Sequence, residues 1–213
     1  MLPVSNVFQP LDAPAFVVTL GQAGAVFCGA HGERPNAQAV IAALLESEKV
    51  AKQQRLVYPL EALLGNWRLC FTTLSKVNGQ SSPTAKGIYV PKIAQAQISF
   101  TQPAEIEPNS SNGEIGNQIQ VGSIVFRVAG SFHYPGKKNL LMFDFNQAQF
   151  SILGKTLYSG KFRSGTQAIA IEQRSISKLP FFAFFLVTEN FIAARGRGGG
   201  LALWVRSPQL KNH

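Results

Sequence analysis

The chain has 213 residues, 46% of them hydrophobic, which excludes a disordered protein and allows one domain with a full core. Sixteen phenylalanines against two tryptophans and four tyrosines favour a dry interior or an apolar cavity. The net charge of +9 is concentrated in residues 137–213, which hold eleven Lys and Arg against three Asp and Glu. This excess indicates an anionic partner, which is a nucleic acid, an anionic membrane surface or an acidic small molecule; the alternative is a contribution to solubility alone.

Residues 1–34 are rich in Gly, Ala and Pro, and we predict a poorly defined N-terminal arm there. No positive charge precedes the apolar residues 15–18, and Gly and Gln interrupt the stretch up to Phe27. Neither a secretory signal nor a membrane-spanning helix is therefore predicted. Cys28 and Cys70 match neither a CxxC pair nor a zinc ligand set, so we expect reduced thiols in a cytoplasm-like compartment.

Helical spacing begins at Asn36, a residue typical of a helix start, and continues to about Val50. The apolar stripe of this helix consists of four residues, Val40, Ile41, Leu44 and Leu45. A second short helix, residues 60–64, follows Pro59, which is favourable in a first helical turn. We expect the two helices to form a lid that leads into Trp67.

A strand pattern replaces the helical one at Gly65. Alternation places Trp67, Leu69 and Phe71 on one face of the strand. It places Arg68, Cys70 and Thr72 on the other face. A large aromatic two residues after a glycine, at the start of the first strand, predicts an indole that plugs the end of a barrel. The alternative is an ordinary core tryptophan.

Period-two alternation recurs through the rest of the chain and predicts strands joined by Gly, Pro and Asn turns. These strands cover residues 94–100, 115–121, 124–134, 141–146, 156–162, 168–172 and 201–206. Gly130 is expected to bend or bulge the third of them. Because almost no helix separates the strands, βαβ repetition is excluded. We predict a mainly β fold, an antiparallel barrel or sandwich with an N-terminal helical segment.

Aromatic residues on the predicted inward faces are candidates to line an apolar cavity with Trp67. They are Phe71, Phe100, Phe126, Phe143 and Phe145. A barrel of about eight strands is just wide enough to hold one small ligand. The alternative is a barrel packed solid with phenylalanine.

Residues 178–187 form the most apolar run of the chain, too short to span a bilayer. Either the run is fully buried, or part of it is an exposed apolar loop that dips into a lipid surface beside basic residues. The second interpretation predicts four membrane-facing residues, Arg174, Lys178, Phe181 and Phe182.

Two blocks carry a family resemblance: residues 64–73, LGNWRLCFTT, after a helix, and residues 192–196, IAARG, leading through glycines into an apolar strand. They resemble the patterns LLxGxWxLxYTT and IxRGxxG of the plastid lipid-associated proteins, or fibrillins, of plastids and cyanobacteria. The resemblance covers roughly residues 36 to 206. Arg197 stands where the family usually has an acidic residue, and Cys70-Phe71 where Leu-Tyr is usual. No long Ser/Arg-rich transit segment precedes the domain, which favours a cyanobacterial type.

The resemblance implies a single lipocalin-like domain over residues 35–213. It implies a non-enzymatic binding, carrier or structural protein for prenylquinones, carotenoids or similar lipids. The implied partners are this hydrophobic small molecule or lipid and an anionic membrane or lipid-droplet surface. The implied location is cytoplasmic, peripheral to thylakoid membranes or lipid droplets, or plastid in a eukaryote. No catalytic residue, metal or cofactor is predicted.

In lipocalin-like barrels an arginine of the last strand commonly covers the tryptophan of the first. Arg195 or Arg206 is accordingly expected at the closed end beside Gly65 and Trp67, in cation–π contact.

Two other functions compete with lipid binding. Residues 195–200 resemble an RGG element of RNA-binding proteins, but the element occurs once, between apolar strands, which disfavours nucleic acid. The three histidines, His31, His133 and His213, form no HExxH or nucleophile motif. One enzyme-like option is a lipocalin-shaped bilin lyase acting on an antenna protein, with Arg127 or His133 reaching the cavity. Both residues alternate with the apolar face and are expected to point outward.

Overall fold

The computed structural model describes residues 13–74, 86–103, 110–161 and 179–207. The fold is mainly β, with short N-terminal helices and an antiparallel sheet, as the sequence predicts. The predicted strand at 168–172 and the predicted membrane-facing residues Arg174 and Lys178 lie outside the described residues.

Three helices precede the sheet: α1 (Ala15–Phe27), α2 (Ala37–Gln54) and α3 (Leu60–Leu63). The predicted start of α2 is confirmed, because the Asn36 side chain accepts a hydrogen bond from the Ala39 amide at 2.9 Å. The helix runs past Val50 and ends at Arg55, whose backbone is left-handed with φ of 52°.

The prediction of a poorly defined arm is wrong for residues 15–27, which form α1. Leu20, Ala23 and Phe27 are buried against α2 and the sheet. Gly24 allows this packing, because a Cβ there would lie 2.8 Å from Cγ1 of Val205. The small residues that suggest a loose segment are the ones that let the helix approach the sheet closely.

The strands are β1 (Gly65–Thr73), β2 (Gly87–Tyr89), β3 (Ala94–Thr101), β4 (Asn112–Val121), β5 (Ile124–His133), β6 (Leu140–Ile152), β7 (Lys155–Lys161), β8 (Phe181–Val187), β9 (Phe191–Gly196) and β10 (Leu201–Arg206). A short 3₁₀ turn, Lys137–Asn139, precedes β6. The register of β5 and β6 shifts between Ala129 and Gly130, which confirms the predicted irregularity at this glycine.

Pairing between the described strands closes a ring. The order of strands around the ring is β1, β3, β4, β5, β6, β8, β9 and β10. The pairing of β10 with β1 closes it. Every pairing is antiparallel, and the ring is barrel-like. β2 pairs with β1, and β7 pairs with β6, off this path.

Two apolar clusters lie on opposite faces of the strands. The inner cluster fills the ring and contains Trp67, Phe100, Phe132 and Phe143. The outer cluster lies between the sheet and helices α1 and α2. Because the apolar stripe of α2 belongs to the outer cluster, α2 is not a lid over the ring, and α3 alone packs beside Trp67.

Phe71 corrects the predicted alternation of β1. The pairing of β1 with β10 shifts between Leu69 and Phe71, a β-bulge that turns the later residues to the other face. Phe71 therefore lies in the outer cluster, in edge-on contact with Tyr89 at 5.1 Å between ring centroids. It does not share the inner face with Trp67.

Strands β3 to β7 continue beyond the pairings that close the ring. β1 pairs with β3 only at residues 97–100, and β8 pairs with β6 only at residues 140–142. The remaining lengths form a five-stranded sheet, which we call the extension and define as residues 91–97, 117–128 and 147–161. One face of the extension continues the inner face of the ring.

Candidate functional site

One end of the ring is closed by Trp67 and Arg206. The two residues are paired across β1 and β10, and the guanidinium carbon of Arg206 lies 4.0 Å from the indole centroid. Trp67 is fully buried, and its Nε1 donates to the Leu63 carbonyl at 2.7 Å. Arg206 Nη1 donates to the carbonyl of Leu64 at 3.2 Å. The predicted cation–π contact of Trp67 with an arginine from the last strand is present, and Arg206 is that arginine. The role of the indole as a plug stays a prediction.

Gly65 makes room for this contact. Its φ is +122°, and a Cβ built there would lie 2.8 Å from Nη1 of Arg206. A side chain at this position would be strained and would also displace the guanidinium. The glycine that marks the change from helix to strand in the sequence is therefore part of the closed end.

Arg195 does not lie at the closed end, which corrects the alternative prediction. It is on the outer side, where its Nε donates to Glu48 Oε1 of α2 at 2.9 Å and its Nη2 to Oε2 at 2.5 Å. Burial raises the pKa of Glu48, but the hydrogen bonds and charges of Arg195 and Lys52 outweigh it, so the pKa is lowered overall. This ion pair fastens α2 to β9.

The interior of the ring is filled by aromatic side chains in contact. Phe100 lies 6.0 Å from both Phe132 and Phe184, edge to face, and is almost fully buried. Phe143 is buried and lies 5.2 Å from the half-buried Phe145. At these positions the packing corresponds to the alternative of a solid core.

Phe182 is not a membrane-facing residue. Its ring stacks on Phe143 at 5.0 Å and meets Trp204 edge-on at 5.5 Å, as part of the inner packing. Phe181 is half-buried on β8 and is paired with Met142. The contact of Phe181 with a membrane stays a prediction.

The inner face is open on the extension. Two rows of paired residues cross its strands on the same face as Phe100. The first row consists of Ala96, Ile119, Phe126, Phe150 and Tyr158. The second row consists of Ala94, Val121, Ile124, Ile152 and Lys155. Nine of these ten side chains are apolar or aromatic. Phe126 is 45% exposed and Ile119 is 48% exposed. We call this surface the open apolar face. Of the predicted cavity residues, Phe126 is the one that lies on it.

The turns at the end of the extension carry further exposed apolar residues: Ile93 lies in the turn before β3, and Leu153 lies in the turn between β6 and β7. Ile93 is 71% exposed and Leu153 is 78% exposed. The extension carries four cations, Lys92, Arg127, Lys155 and Lys161, and no Asp or Glu. Apolar tips bordered by uncompensated positive charge are typical of surfaces that meet anionic lipid.

Arg127 and His133 lie on the outer face, as their alternation predicts. Arg127 Nε donates to Gln118 Oε1 at 2.6 Å, and Nδ1 of His133 lies 2.8 Å from Oδ1 of Asn112. Neither residue reaches the inner face that the bilin-lyase interpretation requires.

In the described part of the chain, no three His, Cys, Asp or Glu side chains form a group that would hold a metal ion. No described helix is both long and apolar enough to cross a bilayer. No family model matches this sequence, and no curated protein is significantly similar to it. The fibrillin resemblance stays a prediction based on two sequence blocks.

Sequence reasoning missed the open apolar face, although its signal is present. Ile119, Val121 and Ile124 alternate with polar residues in the way that half-buried strands do. Alternation reports which side chains share a face, but it does not report whether another element covers that face. The missing information is the pairing, which ends the contact with β1 and β8 before the hairpins end.

Proposed function

We propose that this protein is a non-enzymatic binding or carrier protein for a hydrophobic molecule, which lies against the open apolar face. The observation that carries the proposal is the exposure of Ile119, Val121, Ile124 and Phe126 on the continuation of the ring's inner face. Monomeric soluble proteins rarely expose a contiguous apolar patch of more than a few hundred Å², and larger ones mark binding surfaces. A long apolar lipid such as a prenylquinone or a carotenoid fits a flat face of this kind, as the family resemblance implies.

The strength of such binding can be estimated. Covering about 300 Å² of apolar surface contributes about 7.5 kcal/mol at about 25 cal/mol per Å². Association itself opposes binding by at least about 4 kcal/mol, which leaves at most about 3.5 kcal/mol and an affinity no better than about millimolar for a freely dissolved molecule. The open apolar face therefore binds its ligand too weakly to take it up from water. The same affinity is sufficient to exchange a ligand that is already concentrated at a lipid surface.

The turns at the end of the extension supply the contact with that lipid surface in this proposal. Ile93 and Leu153 are exposed apolar residues of these turns, and Lys92 and Lys155 are their sequence neighbours or near neighbours, with no acidic residue in the extension. Each lysine near an anionic surface contributes about 1 kcal/mol. We therefore assign the protein to an anionic membrane or lipid-droplet surface. The thylakoid or plastid location rests on the family resemblance alone.

The alternatives draw less support from the contacts. For RNA binding through residues 195–200, Arg195 would have to leave Glu48 and the Gly199 carbonyl, to which its Nη1 donates at 2.6 Å. For a bilin lyase, Arg127 and His133 would have to turn from the outer face to the inner one.

A matched pair of isoleucines tests the proposal. Ile119 lies on the open apolar face and is 48% exposed, whereas Ile88 lies on β2, outside the extension, and is 43% exposed. We expect Ile119→Asn to reduce the transfer of a prenylquinone and of β-carotene from vesicles to the protein, and Ile88→Asn to leave it unchanged. Transfer that is absent in the wild type, or equal in both variants, would contradict the carrier proposal.

A further inference from the structure

A concave cavity of about 330 Å³ lies on the outer face, where the extension meets β1. Its volume falls within the range of about 300 to 1,000 Å³ that is usual for small-molecule sites. Its lining includes one arginine, Arg127, and the side-chain amides of Asn66, Gln97, Gln118, Gln147 and Gln149. It is on the opposite face of the sheet from the open apolar face, because Arg127 and Phe126 are consecutive residues of β5.

Strand register explains how these side chains converge. Gln97, Gln118, Arg127 and Gln149 are successive partners across β3, β4, β5 and β6, so they form one row. The neighbouring row begins at Asn66 and runs through three small residues to Gln147 and then Lys161; the small residues are Ser99, Gly116 and Ala129. The small residues form a floor, and the amides and the arginine stand around it.

Gly116 keeps this floor low. A Cβ built there would lie 2.6 Å from Oγ of Ser99, so a larger residue would displace the serine or fill the cavity. Ser99 thereby presents its hydroxyl at the floor.

The charge of Arg127 is not compensated locally. Its Nε is bonded to Gln118, which orients the guanidinium, and in the described part of the chain no carboxylate pairs with it. The two terminal nitrogens of this guanidinium are left to bind a ligand. A guanidinium with two free nitrogens is suited to a phosphate, sulfate or carboxylate group.

The amides add a second requirement. Within the described residues, the side chains of Asn66, Gln97 and Gln147 have no hydrogen-bond partner. Each amide offers both a donor and an acceptor, a combination that matches the hydroxyl groups of a sugar or another polyol. The cavity therefore combines one anion-binding group with several hydroxyl-binding groups.

We propose that this cavity, which we call the outer-face site, binds an anionic sugar of about hexose size. The anionic group lies against Arg127, and the hydroxyl groups lie between the amides of Gln97, Gln147 and Asn66. The sugar is either a free metabolite or the headgroup of a glycosylated lipid. This inference does not rest on the proposed lipid-carrier function, because the two sites occupy opposite faces.

Titration of the full-length protein with glucose 6-phosphate, glucose and inorganic phosphate tests the outer-face site. We expect glucose 6-phosphate to bind at least about tenfold more tightly than either part alone, since it alone meets both requirements. Arg127→Gln should weaken it by about tenfold or more. Lys49→Gln removes the same charge from the exposed side of α2, outside both proposed binding surfaces, and should have no effect.

Arg127 is exposed, so its replacement is compatible with folding. Gln97→Ala, which leaves the charge intact, gives a second measure and should weaken sugar phosphate binding without changing phosphate binding. Binding that is equal in the wild type and both variants, or absent at about 10 mM of all three probes, would overturn the proposal.

Vesicles distinguish the two sources of the sugar. If the ligand is a headgroup, the wild type should prefer phosphatidylinositol vesicles to phosphatidylglycerol vesicles of equal charge, and Arg127→Gln should abolish that preference. If the ligand is a free sugar, the protein should bind soluble glucose 6-phosphate but should show no preference for phosphatidylinositol vesicles. Failure of both arms would reject the outer-face site and leave the carrier proposal unaffected.

Discussion

Arg206 lies over the indole of Trp67, 4.0 Å from its centroid, and the same guanidinium donates to the carbonyl of Leu64. The contact joins the last strand to the first and to the chain that follows α3. Trp67 in turn donates to Leu63, so the stretch from α3 into β1 and the last strand, which are distant in sequence, meet at one end of the ring. A cation–π contact at an exposed site contributes about 0.5 to 1 kcal/mol, and the bonds to backbone carbonyls add to it.

Gly65→Ala is expected to destabilise this end. Alanine at φ of +122° is strained, and its Cβ would meet Nη1 of Arg206 at 2.8 Å. We expect a loss of about 1 to 3 kcal/mol in the free energy of unfolding, measured by urea denaturation. Gly198→Ala is the control, since no atom lies within 4 Å of a Cβ there, and it should change the free energy little. Equal effects of the two substitutions would contradict the account of the closed end.

The Glu48–Arg195 pair is expected to make stability depend on pH. Because the pKa of Glu48 is lowered in the folded protein, its contribution is fully present above the ordinary value of 4.5 and is lost as the pH falls through the folded value. Glu48→Gln removes the carboxylate of α2 from Arg195 and should cost about 1 to 3 kcal/mol at pH 7, and less at pH 3. Urea denaturation at both pH values measures the difference.

Glu46→Gln is the control for that prediction. Glu46 pairs with Lys49 at 3.5 Å on the exposed side of α2, where an ion pair contributes about 0 to 1 kcal/mol. A loss after Glu48→Gln that is no larger than after Glu46→Gln, or that is independent of pH, would mean that the pair does not fasten the helix.

Two phenylalanines of β5 should respond differently to enlargement. Phe126→Trp adds atoms on the open apolar face and should change the melting temperature little, since Phe126 is 45% exposed. Phe132→Trp overpacks the filled ring and should cost about 1 to 3 kcal/mol. Thermal melts of both variants measure this. A large loss from Phe126→Trp would show that the open apolar face is covered in the folded protein.

Docking through the turns at the end of the extension should depend on charge and salt. Lys155→Glu should weaken binding to anionic vesicles by about tenfold or more, since each lysine contributes about 1 kcal/mol and the reversal adds repulsion. Binding should also fall as salt shortens the Debye length below about 8 Å. Lys49→Glu, on the exposed side of α2, should have no effect in vesicle co-sedimentation. Equal binding to neutral and anionic vesicles would refute the docking proposal.

The sequence alone determined the fold class and the closed end. Alternation along the strands, the turn residues between them and the glycine two residues before Trp67 are local signals, and each follows from the geometry of a strand or a turn. The helix start at Asn36 was predictable for the same reason, because a cap acts within one turn of the chain.

Only the tertiary structure decided which arginine covers Trp67 and where each face leads. The sequence alone makes Arg195 and Arg206 equally good candidates to cover Trp67. The register of β10 against β1 places Arg206 there, whereas Arg195 forms an ion pair with Glu48 of α2. The bulge before Phe71 reverses its face, and one extra residue leaves no local signature in an apolar strand. The small residues of α1 suggest a loose arm until Val205 is seen to pack against Gly24.

The surfaces proposed for function depend most on the tertiary structure. The alternation that predicts a buried Phe126 is real, but burial requires a second layer, and the pairing with β1 and β8 stops before the hairpins do. Likewise, Asn66 and Gln147 are 81 positions apart in sequence, and only sheet register brings them to one cavity. Local periodicity fixes the face on which a side chain lies, whereas long-range pairing fixes what that face meets.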